Sequence, residues 1–431
     1  MENRVIKNAF WIIGCKIIRA GLTFLIGMFT ARYLGPSNYG LISYASSVVA
    51  FFAPIMQLGL TATLVREFIA TPEREAEILG TSLVLNILSS LACVVGVVTF
   101  CQIGNPGETQ TIVVCCLYSL TLIFQASEMT QYWFQAKLMS KYPSLASLAA
   151  YIVGSVYKVY LLMTGKSVYW FAVTHVIEAF LISVLLIVAY FRMGGKKLGF
   201  SFRLSGEMLH RSKYYIISAM MMVVYQQTDR IMLKMMLNEE ATGYYAAAIT
   251  CIGISGFVFS AILDSARPSI LESRQKSQEA FEKQMKLLFA VITVVSLAQS
   301  VSMALLARPL VRIVYGKAYL EAVPVLQIAV WYVTFGYYGS VRNIWMLAQE
   351  KQRYLWIIDL SGAVCNVLLN WLLIPRWGAC GAAASSLVTQ VGINFILCIV
   401  MKATRPCGML ILKSLHPNIM LSLVRRLRMG R

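Results

Sequence analysis

Runs of about twenty apolar residues recur from Phe10 to Met401, and the polar breaks between them are nearly all short. A helix of that length crosses the ~30 Å hydrocarbon core of a bilayer. In lipid, each backbone N–H and C=O must find its partner within the protein, so spanning segments fold as helices or as a closed barrel. Long, uninterrupted apolar runs select the helix. Twelve spans are expected, at about 10–33, 39–64, 80–103, 110–130, 142–163, 167–191, 213–237, 242–266, 285–307, 322–347, 352–374 and 378–401. The chain is therefore read as an all-α integral membrane protein.

Composition agrees. Only 13% of the 431 residues are charged and the mean hydropathy is +0.68, against about 25% charged in soluble domains. The apolar character covers the whole length, which excludes a soluble enzyme with one anchor. The first run is too long for a signal-peptide core and is expected to remain as the first span. A net charge of +19 would suggest a nucleic-acid partner in a soluble chain. Here it follows the bias of cytoplasmic loops toward Lys and Arg, and no nucleic acid is expected. With the N-terminus inside, the outer segments hold only Arg32, Lys166, Arg308, Arg312, Lys317 and Arg376 of the 38 basic residues. Both termini are thus expected in the cytoplasm.

Two stretches outside the spans combine basic and apolar residues. One is the connector from Arg192 to Lys213, with Phe200, Phe202, Leu204, Met208 and Leu209. The other is the tail after Arg405, with Arg425, Arg426 and Arg428 beside Leu421, Leu423 and Leu427. Both read as amphipathic segments on an anionic leaflet. The expected organisation is residues 1–203 as one six-helix half, 204–402 as a second and 403–431 as a basic cytoplasmic tail. An internal repeat supports the halves: sliding RYLGPSNYGLISYA onto the helix 7–8 junction aligns Leu34 with Leu237, Gly40 with Gly243 and Ala45 with Ala248.

Catalytic chemistry finds little footing. Outer loops are short, the longest running from about Arg308 to Val323. No P-loop, dinucleotide fingerprint or G-x-S-x-G elbow is present. The ten cysteines show no C-x-x-C spacing and lie mostly in apolar runs, so buried thiols are expected and no metal centre.

Charges inside spans carry the functional reading, because each costs a few kcal/mol in lipid unless it faces protein or water. Lys16 and Arg19 lie three apart and share a face of the first helix. Asp229, Arg230 and Lys234 interrupt the seventh span; Arg230 is deep, whereas Lys234 is placed to snorkel outward. Lys158 and Arg342 stand near helix ends, where snorkelling is expected. His175 and Glu178 form an i, i+3 pair in the sixth span, and Asp359 enters the eleventh. Asp229, Glu178, Asp359 and His175 are candidates for a coupling H⁺ or Na⁺, or for structural charge pairs; Asp229 can simply neutralise Arg230. Glu128 and Asp264 lie near inner ends and read as solvated. The surplus of Lys16, Arg19 and Arg230, with Lys158, Lys234 and Arg342, suits an anionic cargo such as a phosphate or pyrophosphate. Tyr225, Trp331, Tyr332, Tyr337, Tyr338 and Trp345 are placed either to stack on sugars or to pack helices.

Four motifs carry a resemblance. LGPSNYGLISYASSVVAFFAPIMQLGL followed by VRE, QTDRIMLKMMLNEEATGYYAAA, RPLVRIVYGKAYLEAVPVLQI and VCNVLLNWLLIPRWGACGAAASS resemble the polysaccharide-transporter family of the multidrug/oligosaccharidyl-lipid/polysaccharide exporter superfamily. That resemblance, typified by Wzx O-antigen flippases, implies twelve helices in two six-helix bundles, related by a pseudo-two-fold repeat, around a central cavity. It implies translocation of an undecaprenyl-pyrophosphate-linked oligosaccharide across a bacterial inner membrane, for O-antigen, capsule or exopolysaccharide, with polysaccharide polymerase or assembly proteins as partners. It makes Lys16, Arg19 and Arg230 the leading phosphate contacts, and Asp229 matches the family's Asp in helix 7. The alternatives are a multidrug antiporter on the same fold and, from another class, a membrane glycosyltransferase or polymerase.

Overall fold

The computed structural model describes residues 2–415, in which no strand occurs. Seven helical segments among them are long and apolar enough to cross a membrane. The pair Glu239–Gly253 and Gly256–Lys276, bent by 43°, makes an eighth. Two of the seven, Gly14–Met56 and Gln352–Val400, are 43 and 49 residues long, enough for two crossings each at 1.5 Å per residue. Each is interrupted at a glycine. Gly35 has φ 71° and ψ 173°, a conformation essentially confined to glycine, and Pro36 restarts the helix behind it. Gly378, at φ 57° and ψ −135°, breaks the second.

Two further segments complete the set of expected crossings. Helix Phe202–Met236 is 35 residues long, but its charges lower its hydropathy. Helices Ala322–Ala329 and Tyr332–Ala348 follow one another across a short break. The twelve expected spans are thus all accommodated.

The chain divides into two compact units between Gln227 and Thr228, later than the expected boundary at 203/204. The reason lies in the connector. Leu204 and Met208 are buried with Leu60, Leu64, Trp133, Phe134 and Tyr190 in a cluster of the first unit. Arg211 Nη1 donates to Glu67 Oε1 at 2.8 Å. The preceding strap is tied by its backbone: Gly199 N donates to Ala76 O (3.2 Å) and Ser201 N to Thr81 Oγ1 (3.1 Å). The approach is so close that a Cβ on Gly80 would lie 2.1 Å from Gly199 O. The connector is therefore only in part a surface amphipath. Much of its apolar face is spent on the protein, while Phe200 and Phe202 remain exposed.

A similar correction applies to the start of the tail. Helix Arg405–Ser414 buries Cys407, Leu410 and Ile411, and a Cβ on Gly408 would stand 2.8 Å from Cys398 O. It packs against protein in the second unit. Arg425, Arg426 and Arg428 lie outside the described residues.

The repeat register is physically consistent. Leu34 and Leu237 both sit at the break between the first two helices of the two halves. Gly40 and Gly243 are buried, as are Ala45 and Ala248.

Candidate functional site

Each unit carries polar side chains inside its apolar bundle. In the first unit a cavity of about 330 Å³ is lined by Arg19, Tyr118, Gln125, Glu128, His175 and Glu178, among others. Arg19 comes from the N-terminal helix, where its Nη1 donates to Ser147 Oγ at 2.5 Å and its guanidinium lies 5.5 Å from the Tyr151 ring centroid. Its side chain remains exposed. Glu128 is half-buried and within electrostatic reach of Arg19, so it belongs to the cavity and is not the solvated end group expected. The reason is that the segment does not end at 130 as expected but runs on, through the 3-10 turn Ala126–Met129, to Ala136. Lys16 is exposed but does not line this cavity.

At the cavity edge, Lys158 and Glu178 form an ion pair, Nζ to Oε1 at 2.9 Å, with both side chains about one-tenth exposed. Lys158 therefore points inward and does not snorkel. Its partner sits on the adjacent helix of a hairpin, Lys141–Thr164 against Val168–Arg192. Gly154 makes room: a Cβ there would be 2.3 Å from Glu178 Oε1. His175 Nδ1 is 3.8 Å from Glu178 Oε2, and its ring packs on Tyr118 at 5.0 Å. The sequence pairing of His175 with Glu178 thus holds, but the shorter contact is to Lys158.

In the second unit Asp229 is the centre. It is 4% exposed, and three neutral donors from three other helices converge on its carboxylate. Asn370 Nδ2 donates to Oδ1 at 2.6 Å, while the hydroxyls of Tyr245 and Ser386 donate to Oδ2. Asn366 Oδ1 accepts from Asn370 Nδ2 at 3.1 Å, and among the described residues the buried Asn370 Oδ1 meets no hydrogen-bond donor. Tyr245 lies on Glu239–Gly253, and the other three residues fall on either side of the Gly378 break. Asp229 stands out in the sequence, whereas this shell does not. The available signal was Asn366 and Asn370, one turn apart in an apolar helix and so on one face.

The remaining candidates divide by partner. Lys234 is buried and pairs with Glu239 Oε1 at 3.0 Å, staying beside the helix break instead of reaching outward. Arg342 is buried too. Its Nη1 donates to Asn394 Oδ1 (2.8 Å) and its Nη2 to Asn343 Oδ1 (3.1 Å). Asn394 lies in the π-helical turn Gly392–Ile396, and Gly339 leaves the space it occupies, since a Cβ there would be 2.6 Å from Asn394 Oδ1. Asp359 is half-buried within electrostatic reach of Arg342. Arg230 is half-buried beside Asp229. Among the aromatics, Tyr337 stacks on Phe259 at 3.9 Å, Tyr338 bonds Thr293 at 2.7 Å and Trp345 is buried. These three pack helices.

Comparison with known proteins places this geometry. The profile of the family described as "Polysaccharide biosynthesis protein" matches residues 29–324. No curated protein matches the chain in sequence. Among solved structures, the lipid II flippase MurJ in an inward closed conformation aligns with a TM-score of 0.74 at 14% identity, over 92% of this chain and 90% of that one. An inward-facing multidrug resistance MATE transporter of the MOP superfamily aligns at 0.64 and 13%, over 91% and 95%. The MATE multidrug transporter DinF-BH aligns at 0.61 and 15%, over 93% and 95%. At these identities the likeness is one of fold.

Proposed function

The chain belongs to the polysaccharide biosynthesis protein family, and on that premise we propose that it is a flippase for undecaprenyl-pyrophosphate-linked oligosaccharide repeat units. It would carry them across the bacterial inner membrane for O-antigen, capsule or exopolysaccharide assembly, by alternating access and without catalysis. The observation that carries the reading is Arg19, a guanidinium held open at a polar cavity within an otherwise apolar bundle. A planar, permanently charged fork of that kind recognises phosphate oxygens.

Lys158, Lys234 and Arg342 are engaged by Glu178, Glu239 and Asn394. Lys16, Arg19 and Arg230 are proposed as the pyrophosphate contacts, and Glu128 is the cavity carboxylate within electrostatic reach of Arg19 whose charge a bound phosphate would oppose. Reset is proposed to draw on an H⁺ or Na⁺ at Asp229, the buried carboxylate of the second unit.

A second reading, an exporter of cationic compounds, draws on the two cavity carboxylates Glu128 and Glu178 and on the MATE-like fold. A deletion strain separates the two. On the flippase reading, lipid-linked oligosaccharide accumulates in the inner leaflet and is cleared by the intact gene, but not by Arg19→Ala or Arg230→Ala variants present at normal levels. An unchanged pool would reject the flippase reading, and failure to make the lipid-linked unit would indicate a biosynthetic enzyme.

A further inference from the structure

Three helix breaks of the second unit meet at a second, open cavity of about 250 Å³. The first break is at Leu237–Asn238, where Asn238 Oδ1 caps the next helix by accepting from Ala241 N at 2.8 Å. The second is the turn before Ala322, and the third is at Gly378, whose positive φ brings its neighbour Trp377 to the rim. Against this floor stand Glu240, Glu321, Tyr244 and Trp377.

The chemistry of the lining is specific. Trp377 is 60% exposed, so a broad indole face is open. Tyr244 donates to Glu240 Oε1 at 2.6 Å and rests edge-on against the buried Tyr319 at 6.3 Å. The Glu240 carboxylate is thereby held in place from within the protein, while Glu321 remains exposed. An aromatic face takes the weakly positive C–H face of a sugar ring, and ionised carboxylates accept its hydroxyl protons strongly. Two carboxylates at one cavity repel a phosphate. The cavity falls below the ~300–1,000 Å³ of drug-sized pockets, which suits one residue of a glycan and not a whole repeat unit.

We propose that this cavity is a saccharide subsite that receives one neutral or amino sugar residue of the cargo glycan, separately from the pyrophosphate contacts. The proposal rests on the flippase reading for the identity of the glycan. By the loop-charge orientation the subsite lies at the outer end of the second unit, where it would hold the sugar as it leaves.

The test is a saturation-transfer NMR titration of the full chain in lipid nanodiscs. The probe is the free oligosaccharide released by mild acid from the host strain's own polyprenyl-pyrophosphate pool. Transfer to sugar ring protons is expected. Binding should weaken about tenfold or more in Trp377→Ala and in the Glu240→Gln/Glu321→Gln double variant, a loss of at least ~1.4 kcal/mol. Arg19→Ala should leave it unchanged, since the released probe carries no phosphate. Absence of transfer, or equal transfer in Trp377→Ala, overturns the subsite; the latter would make Trp377 an interfacial lipid anchor. A flat titration beside intact export rejects the subsite alone. Saturable binding in a protein whose deletion leaves the lipid-linked pool unchanged rejects the flippase reading alone.

Discussion

Replacing Lys158 by methionine is the perturbation whose cost the geometry bounds most closely. Lys158 Nζ lies 2.9 Å from Glu178 Oε1, with side-chain exposures of 9% and 12%. At an effective dielectric near 20, that separation gives roughly 6 kcal/mol of attraction, set against the desolvation of both ions. Methionine keeps most of the stem but strands the carboxylate, so Lys158→Met should cost about 3–5 kcal/mol. Removing both charges in Lys158→Met/Glu178→Leu should return stability to within about 1 kcal/mol of the parent. The double-mutant cycle then has a coupling of about 3 kcal/mol or more. Gly154→Ala, which drives a methyl into the Glu178 carboxylate, should cost about 1–3 kcal/mol, and much less in a Glu178→Ala background. The assay is reversible unfolding of the purified chain in mixed micelles with graded SDS, followed by tryptophan fluorescence. A Lys158→Met protein as stable as the parent would show that the ion pair adds no stability, as would a double variant as unstable as the sum of the singles.

Three other outcomes are expected. Gly35→Ala forces a side chain into a glycine-only conformation and should cost about 1–3 kcal/mol in the same unfolding assay. Trp133→Phe removes the indole donor to Glu75 Oε2, a 3.1 Å bond beside Lys137, and should cost about 1.5–3 kcal/mol; an unchanged midpoint would show that Lys137 alone satisfies that carboxylate. Asp229→Asn keeps the shape of the Tyr245, Asn370 and Ser386 site but removes its charge, and should abolish export in a complementation assay at normal membrane levels. Wild-type export by that variant would remove Asp229 from the coupling scheme.

How much of this was legible in the residues alone follows from the range of the forces involved. Spans are local: an apolar run must cross, and the helices appear where the runs are. Breaks at Gly35-Pro36 and Leu237 were marked by composition and by the repeat register. Partnership across helices was not. Lys158 reads as a snorkelling end residue until Glu178, twenty positions away, is seen across the hairpin. Lys234 reads as outward-pointing until the chain turns at Asn238 and returns Glu239 to it. Asp229 stood out because a carboxylate in an apolar helix is costly. Its donors Tyr245, Asn370 and Ser386 are ordinary in their own sequence contexts and become a site only when the helices pack. The connector misled for the same reason: an amphipathic face does not say whether lipid or protein covers it, and here Leu204 and Met208 are covered by protein.

The most direct measurement uses the purified chain in sealed vesicles loaded with native polyprenyl-pyrophosphate oligosaccharide in one leaflet. A membrane-impermeant glycosidase on the other side reports each glycan that crosses. Crossing is expected to depend on the protein, to be lost in Arg19→Ala and to be retained in Trp133→Phe. Crossing at the protein-free rate, or undiminished crossing by a folded Arg19→Ala variant, would contradict that expectation.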